Sequence, residues 1–128
     1  MNPLWFVRIP FAITFAGHGA GKLLMPAASA EMLGLPVVLV LLVGVAEVLA
    51  GIGAFVGGLE RISHRVLVDR LTGLAAAPVL IGAIALEHWP RWSFVATDSH
   101  PLGGMEFQVL LLGVALYLAL GAGARARA

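Results

Sequence analysis

The chain contains no cysteine. Disulfide, thiol-redox, iron–sulfur and zinc–thiolate chemistry are therefore excluded, and disulfides give no clue to the redox compartment. Charge is almost as scarce. Asp, Glu, Lys and Arg make up 12% of the 128 residues, about half the share near 25% of a soluble domain. The net charge is only +1, so the basic footprint of a nucleic-acid-binding protein is missing and no such partner is expected. Linkers, low-complexity tracts and a reliable internal repeat are missing too. So is any nucleophile–base arrangement or cofactor fingerprint, which argues against a stand-alone enzyme.

What fills the chain is apolar: 60% of its residues are hydrophobic and the mean hydropathy is +0.98. This composition predicts a polytopic membrane protein, all-α, folded as one domain over residues 1–128. Four segments have about the length that crosses a bilayer as a helix: residues 4–25, 36–57, 66–88 and 103–123. The small residues Ala28, Ser29 and Ala30 resemble a signal-peptide cleavage site. Arg8 inside the preceding run, and Lys22 and Pro26 after it, favour a retained first helix instead. Pro26 is expected to end the first helix, residues 27–35 to form a short loop, and residues 59–70 a charged loop merging into the third helix. Pro78 is expected to kink that helix. Trp89, Trp92 and Phe94 suit a membrane–water boundary.

The basic residues suggest an orientation. With both termini cytoplasmic, that side carries Arg8, Arg61, Arg65, Arg70, Arg125 and Arg127, and the other carries Lys22 and Arg91. Six against two is a positive-inside bias.

The few titratable groups within the apolar segments draw attention because a charge in hydrocarbon persists only when it is paired, hydrated or neutral. Arg8, Phe11, Phe15, His18 and Lys22 recur at helical spacing on one stripe of the first segment. Gly44, Glu47 and Gly51 share the small-residue face of the second. Asp69, Gly73, Ala76, Leu80, Ala83 and Glu87 line one face of the third. Glu106, Leu110, Gly113, Tyr117 and Gly121 line one face of the fourth. Counting levels at about 1.5 Å per residue pairs Lys22 with Glu106 near the outer rim and Arg8 with Asp69 near the inner one. It places His18 between the rim and Glu47. The expectation is a shared polar interior of His18, Lys22, Glu47 and Glu106, with Arg8 and Asp69 as a structural ion pair. Glu87, His88, Asp98 and His100 lack compact ligand spacing, so no metal site is expected. His18 lies about 10 Å below His88, which disfavours a haem.

Short motifs in order along the chain resemble the DoxX family of small membrane proteins. They are Arg8 followed by His18-Gly19 and Lys22; Gly34-Leu35-Pro36; Gly44-Val45-Ala46-Glu47 with Gly51; His88-Trp89-Pro90; and Gly103-Gly104-Met105-Glu106-Phe107. The chain departs from the pattern after Gly121-Ala122-Gly123, where Ala124-Arg125 replaces the Ser and Asp of many members. The resemblance implies an integral membrane four-helix up-down bundle in the bacterial inner membrane. It includes proteins linked to membrane redox work, such as the small subunit of thiosulfate:quinone oxidoreductase and a mycobacterial complex with superoxide dismutase and a sulfurtransferase.

Two functions follow as expectations. In the first, the protein is a subunit of a quinone-linked redox or sulfur-oxidation system, with no cofactor of its own. His18, Lys22, Glu47 and Glu106 then bind a quinone or relay protons. In the second, it is a non-catalytic structural or accessory subunit of a larger membrane complex. Its partners are the lipid bilayer and other membrane or redox subunits, or further copies of itself.

Overall fold

The computed structural model describes residues 2–125, with side chains described through residue 121. Arg127, counted above toward the orientation, lies outside the described residues. Among the described residues five α-helices form: α1 Trp5–Leu24, α2 Pro26–Leu33, α3 Val37–Val56, α4 Arg65–Ala83 and α5 Glu106–Arg125. A π-helical turn, Ile84–His88, extends α4. Among the described residues there is no strand, only an isolated bridge between Thr97 and His100.

α2 corrects the expectation of a loop. Pro26 occupies its first turn, where a missing amide donor and a fixed φ favour helix initiation. The Ala-rich run that follows propagates it. Gly34 stops it in the left-handed conformation at φ 62°, and the Leu35 amide returns to the Ala30 carbonyl at 3.0 Å. Pro36 then opens α3. Pro78 does not end α4, which continues through it to Ala83.

Successive long helices run antiparallel and touch at small residues. A Cβ added to Gly19 would meet the Gly44 carbonyl at 2.6 Å, and one added to Gly51 would meet the Ala12 carbonyl at 2.8 Å. α1 and α3 therefore pack backbone to backbone. Gly53 is closed off by Thr72, which joins α3 to α4, and Gly73 by Ala115 and Ala119, which joins α4 to α5. The core between these helices holds stacked Phe11 and Phe15, their centroids 4.5 Å apart, with Ala50, Ala54, Ala76, Leu80, Leu111, Ala115 and Leu118.

The outside is as apolar as the inside. Leu42, Leu49, Leu74, Leu110 and Leu120 are all exposed. Two helices, Val37–Val56 and Arg65–His88, are long and apolar enough to cross a membrane, and only a third of each apolar window is buried. The core helix of a soluble protein would bury most of its apolar residues. α5 contributes a shorter apolar stretch, Glu106–Gly121.

The face expected to turn α5 inward is corrected. Leu110 and Tyr117 are exposed, and no neighbour comes within 4 Å of a Cβ placed on Gly113. The buried residues are Leu111, Ala115 and Leu118. Close approach to Gly73 requires Ala115 and Ala119 at the contact, and this rotates the wider side chains outward.

Candidate functional site

The polar interior consists of two ion pairs at opposite ends of α1. At one end Arg8 and Asp69 are each 4% exposed. The two guanidinium Nη atoms donate to the two Asp69 carboxylate oxygens at 2.7 and 2.6 Å, the bidentate geometry that suits Arg. Nη1 also donates to the Ala54 carbonyl at 2.9 Å. That carbonyl is available because α3 tightens as it ends: the Gly58 amide bonds Phe55 instead. Arg8 thus satisfies one of the orphan carbonyls at a helix C-terminus and places positive charge at the negative end of the helix dipole. Asp69 lies just past the first turn of α4. Gly57 and Gly58 make room: a Cβ on Gly57 would strike the Asp69 carboxylate, and one on Gly58 would meet Arg8 Cδ at 3.0 Å. Trp5 closes the end by packing on Phe55, with centroids 5.3 Å apart.

At the other end Lys22 Nζ donates to Glu47 at 2.8 and 3.0 Å. The side chains are 16% and 9% exposed. Lys22 stands two residues from the end of α1, whereas Glu47 is ten residues into α3, roughly 15 Å along its axis. The lysine therefore extends inward along the protein. The glycine contact between Gly19 and Gly44 brings the helices close enough for this reach.

The expected four-residue cluster is not assembled. Glu47 takes Lys22, so Lys22 does not pair with Glu106. His18 is exposed and lies in a shallow groove with Ile13, Thr14, Gly17 and Phe107. Helix geometry explains the displacement. At about 100° per residue, Arg8, Ala12, Phe15, Gly19 and Lys22 stay within about 40° of one direction, while His18 lies about 80° off. Gly19 wins the inward position because only a glycine admits the α3 backbone. Glu106 is half-buried in the first turn of α5 and makes no ion pair or hydrogen bond among the described residues.

A third polar knot was missed by sequence reasoning. His88 is 6% exposed. Its Nδ1 donates to the Gly103 carbonyl at 2.8 Å, and its Nε2 accepts from the Gln108 amide at 2.9 Å. The carbonyl can only accept, and this fixes both roles. The face expected from α-helical spacing ends on Glu87. The π turn inserts one extra residue into the register, so His88 turns inward and Glu87 is displaced. The signal for this knot was Gln108, the one amide in the apolar run of α5. The loop after His88 begins with a cis Trp89–Pro90 bond. It is fastened by the Met105 amide on the Arg91 carbonyl at 2.8 Å and by Arg91 Nη1 on Thr97 Oγ1 at 3.1 Å. No group of three or more metal-ligating side chains gathers among the described residues.

No protein-family model matches this sequence, and neither a curated protein nor a solved structure matches it.

Proposed function

We propose that this chain is a multi-pass integral membrane protein, a four-helix up-down bundle of α1, α3, α4 with its π turn, and α5. It acts as a non-catalytic accessory subunit of a larger membrane complex. The observation that carries this reading is the closure of the interior charges: Arg8 is paired with Asp69 and Lys22 with Glu47, each pair joining two helices. Interior charges serve here to join helices. The exposed leucines of every long helix have lipid or neighbouring subunits as their natural cover. The orientation with both termini cytoplasmic gains support, because Lys22 and Arg8 are both committed to interior pairs. The remaining exposed arginines, Arg61, Arg65 and Arg70, then oppose Arg91. The bacterial inner membrane is the location that the DoxX resemblance implies.

The test is extraction. The chain should stay with membranes through an alkaline carbonate wash. In mild detergent it should migrate as a defined assembly larger than the monomer. A carbonate-soluble chain, or a monomer with no stable partner, overturns the reading.

One observation favours the quinone-linked reading as a second. His18 is the only histidine within α1 and lies unbonded among the described residues, beside Phe107. An imidazole donor next to an aromatic ring fits a quinone headgroup entering from the bilayer. Saturable binding of a short-chain quinone that His18→Ala abolishes supports this reading. Binding unaffected by that change removes it.

A further inference from the structure

A groove of about 440 Å³ opens where the loop after the π turn meets the start of α5. Its volume falls in the range of small-molecule sites. Three aromatic rings, Trp92, Phe94 and Phe107, form its walls with Val109 and Leu110, and Glu106 is the one charged residue lining it. We propose that this groove binds a lipophilic organic cation of the quaternary or aromatic ammonium class.

Three observations converge. First, the rings are free: none of Trp92, Phe94 and Phe107 stacks on another ring or on a cation among the described residues. A cation over an aromatic face is attracted by the ring quadrupole, and cages of such rings are the common recognition device for quaternary ammonium groups. Second, Glu106 is half-buried and unpaired. The two buried carboxylates of the helices are matched by cations, Asp69 by Arg8 and Glu47 by Lys22. Apolar walls lower the local dielectric and lengthen the reach of this charge. The nearest arginine or lysine in sequence, Arg91, is turned to Thr97 and does not line the groove. Third, the wall is held in place. Gly103, at φ 82°, lies against the Phe94 backbone, where a Cβ would meet its carbonyl at 2.5 Å, and Gly104 lies against Arg91 and Ser93. These contacts fasten residues 91–94 to the segment that leads into α5, so Trp92 and Phe94 line one groove with Glu106.

The ordinary role for Glu106 is to favour the positive end of the α5 dipole. That role and cation binding are separable, because the dipole does not discriminate between ligands. The inference goes beyond the accessory-subunit reading and stands or falls independently of it.

The experiment is calorimetric titration of the full chain in maltoside micelles. The probes are benzyltrimethylammonium, its uncharged carbon isostere neopentylbenzene, and benzenesulfonate. The cation should bind saturably at one site, at least about tenfold tighter than either comparison compound. Glu106→Gln and Trp92→Ala should each weaken it about tenfold, while Glu106→Asp retains most of the affinity and His18→Gln, in the neighbouring groove, changes nothing. Repeating the titration in nanodiscs separates the two sources of the ligand. Binding kept in both phosphatidylglycerol and phosphatidylcholine discs marks a free cation. Binding lost only in phosphatidylcholine marks the choline headgroup as the same chemistry supplied by lipid. Equal affinity for the uncharged isostere, or unchanged cation binding in a folded Glu106→Gln protein, overturns the proposal.

Discussion

Arg8 and Asp69 meet through two parallel hydrogen bonds at 2.6 and 2.7 Å, and the same guanidinium caps Ala54. One side chain of α1 thereby joins the C-terminus of α3 to the N-terminal turns of α4. A lysine has the charge but not the fork.

Arg8→Lys should therefore lose the second carboxylate bond and the cap together. The charge pair is kept, but losing one charge-assisted hydrogen bond and the carbonyl cap should cost about 2–4 kcal/mol. Thermal unfolding in detergent reads it as a clearly lowered midpoint. Asp69→Asn should be milder than Asp69→Leu, since the amide retains an acceptor for Arg8.

The glycines of α1 differ sharply in what surrounds them. Gly19→Ala would drive a methyl to within 2.6 Å of the Gly44 carbonyl, whereas nothing lies within 4 Å of a Cβ on Gly17. Overpacking of this kind costs about 1–3 kcal/mol. Gly17→Ala should be neutral or slightly stabilising through helix propensity. Melting curves of the two variants side by side check this.

The His88 knot predicts another contrast. His88→Ala removes the donor to Gly103 and the acceptor for Gln108, and should loosen the loop that follows. Gln108→Leu leaves one buried ring nitrogen unpartnered, a cost of about 1–3 kcal/mol. It also removes the Gln108 Oε1 atom, which is buried without a partner, so the net loss should fall at the lower end. Protease sensitivity of residues 89–105 should rise in His88→Ala and change little in Gln108→Leu.

Much of the architecture could be read from apolar length and spacing: the order of the long helices and the inward face of α4 through Asp69, Gly73, Ala76 and Leu80. Arg8 and Asp69 came together at matched depth because both lie about one turn from the same end. Depth alone misled for Lys22, whose long side chain extends inward to Glu47 when a glycine contact draws the helices together. His18 was assigned to the interior by a stripe of threes and fours, but it lies at the edge of that stripe and yields to Gly19. α5 was read by its glycines, yet the residues that fit against Gly73 are alanines. The π turn has no spacing signature, so His88 and Gln108 were not legible.

The central claim is that the interior charges are closed pairs joining helices. A double-mutant cycle on Lys22 and Glu47, read as unfolding free energy in detergent, tests it most directly. Lys22→Met and Glu47→Leu should each destabilise by about 3–5 kcal/mol, because each leaves one buried charge unpaired, and the double variant should recover most of that loss. Losses that simply add, or single variants as stable as the parent, would contradict the account.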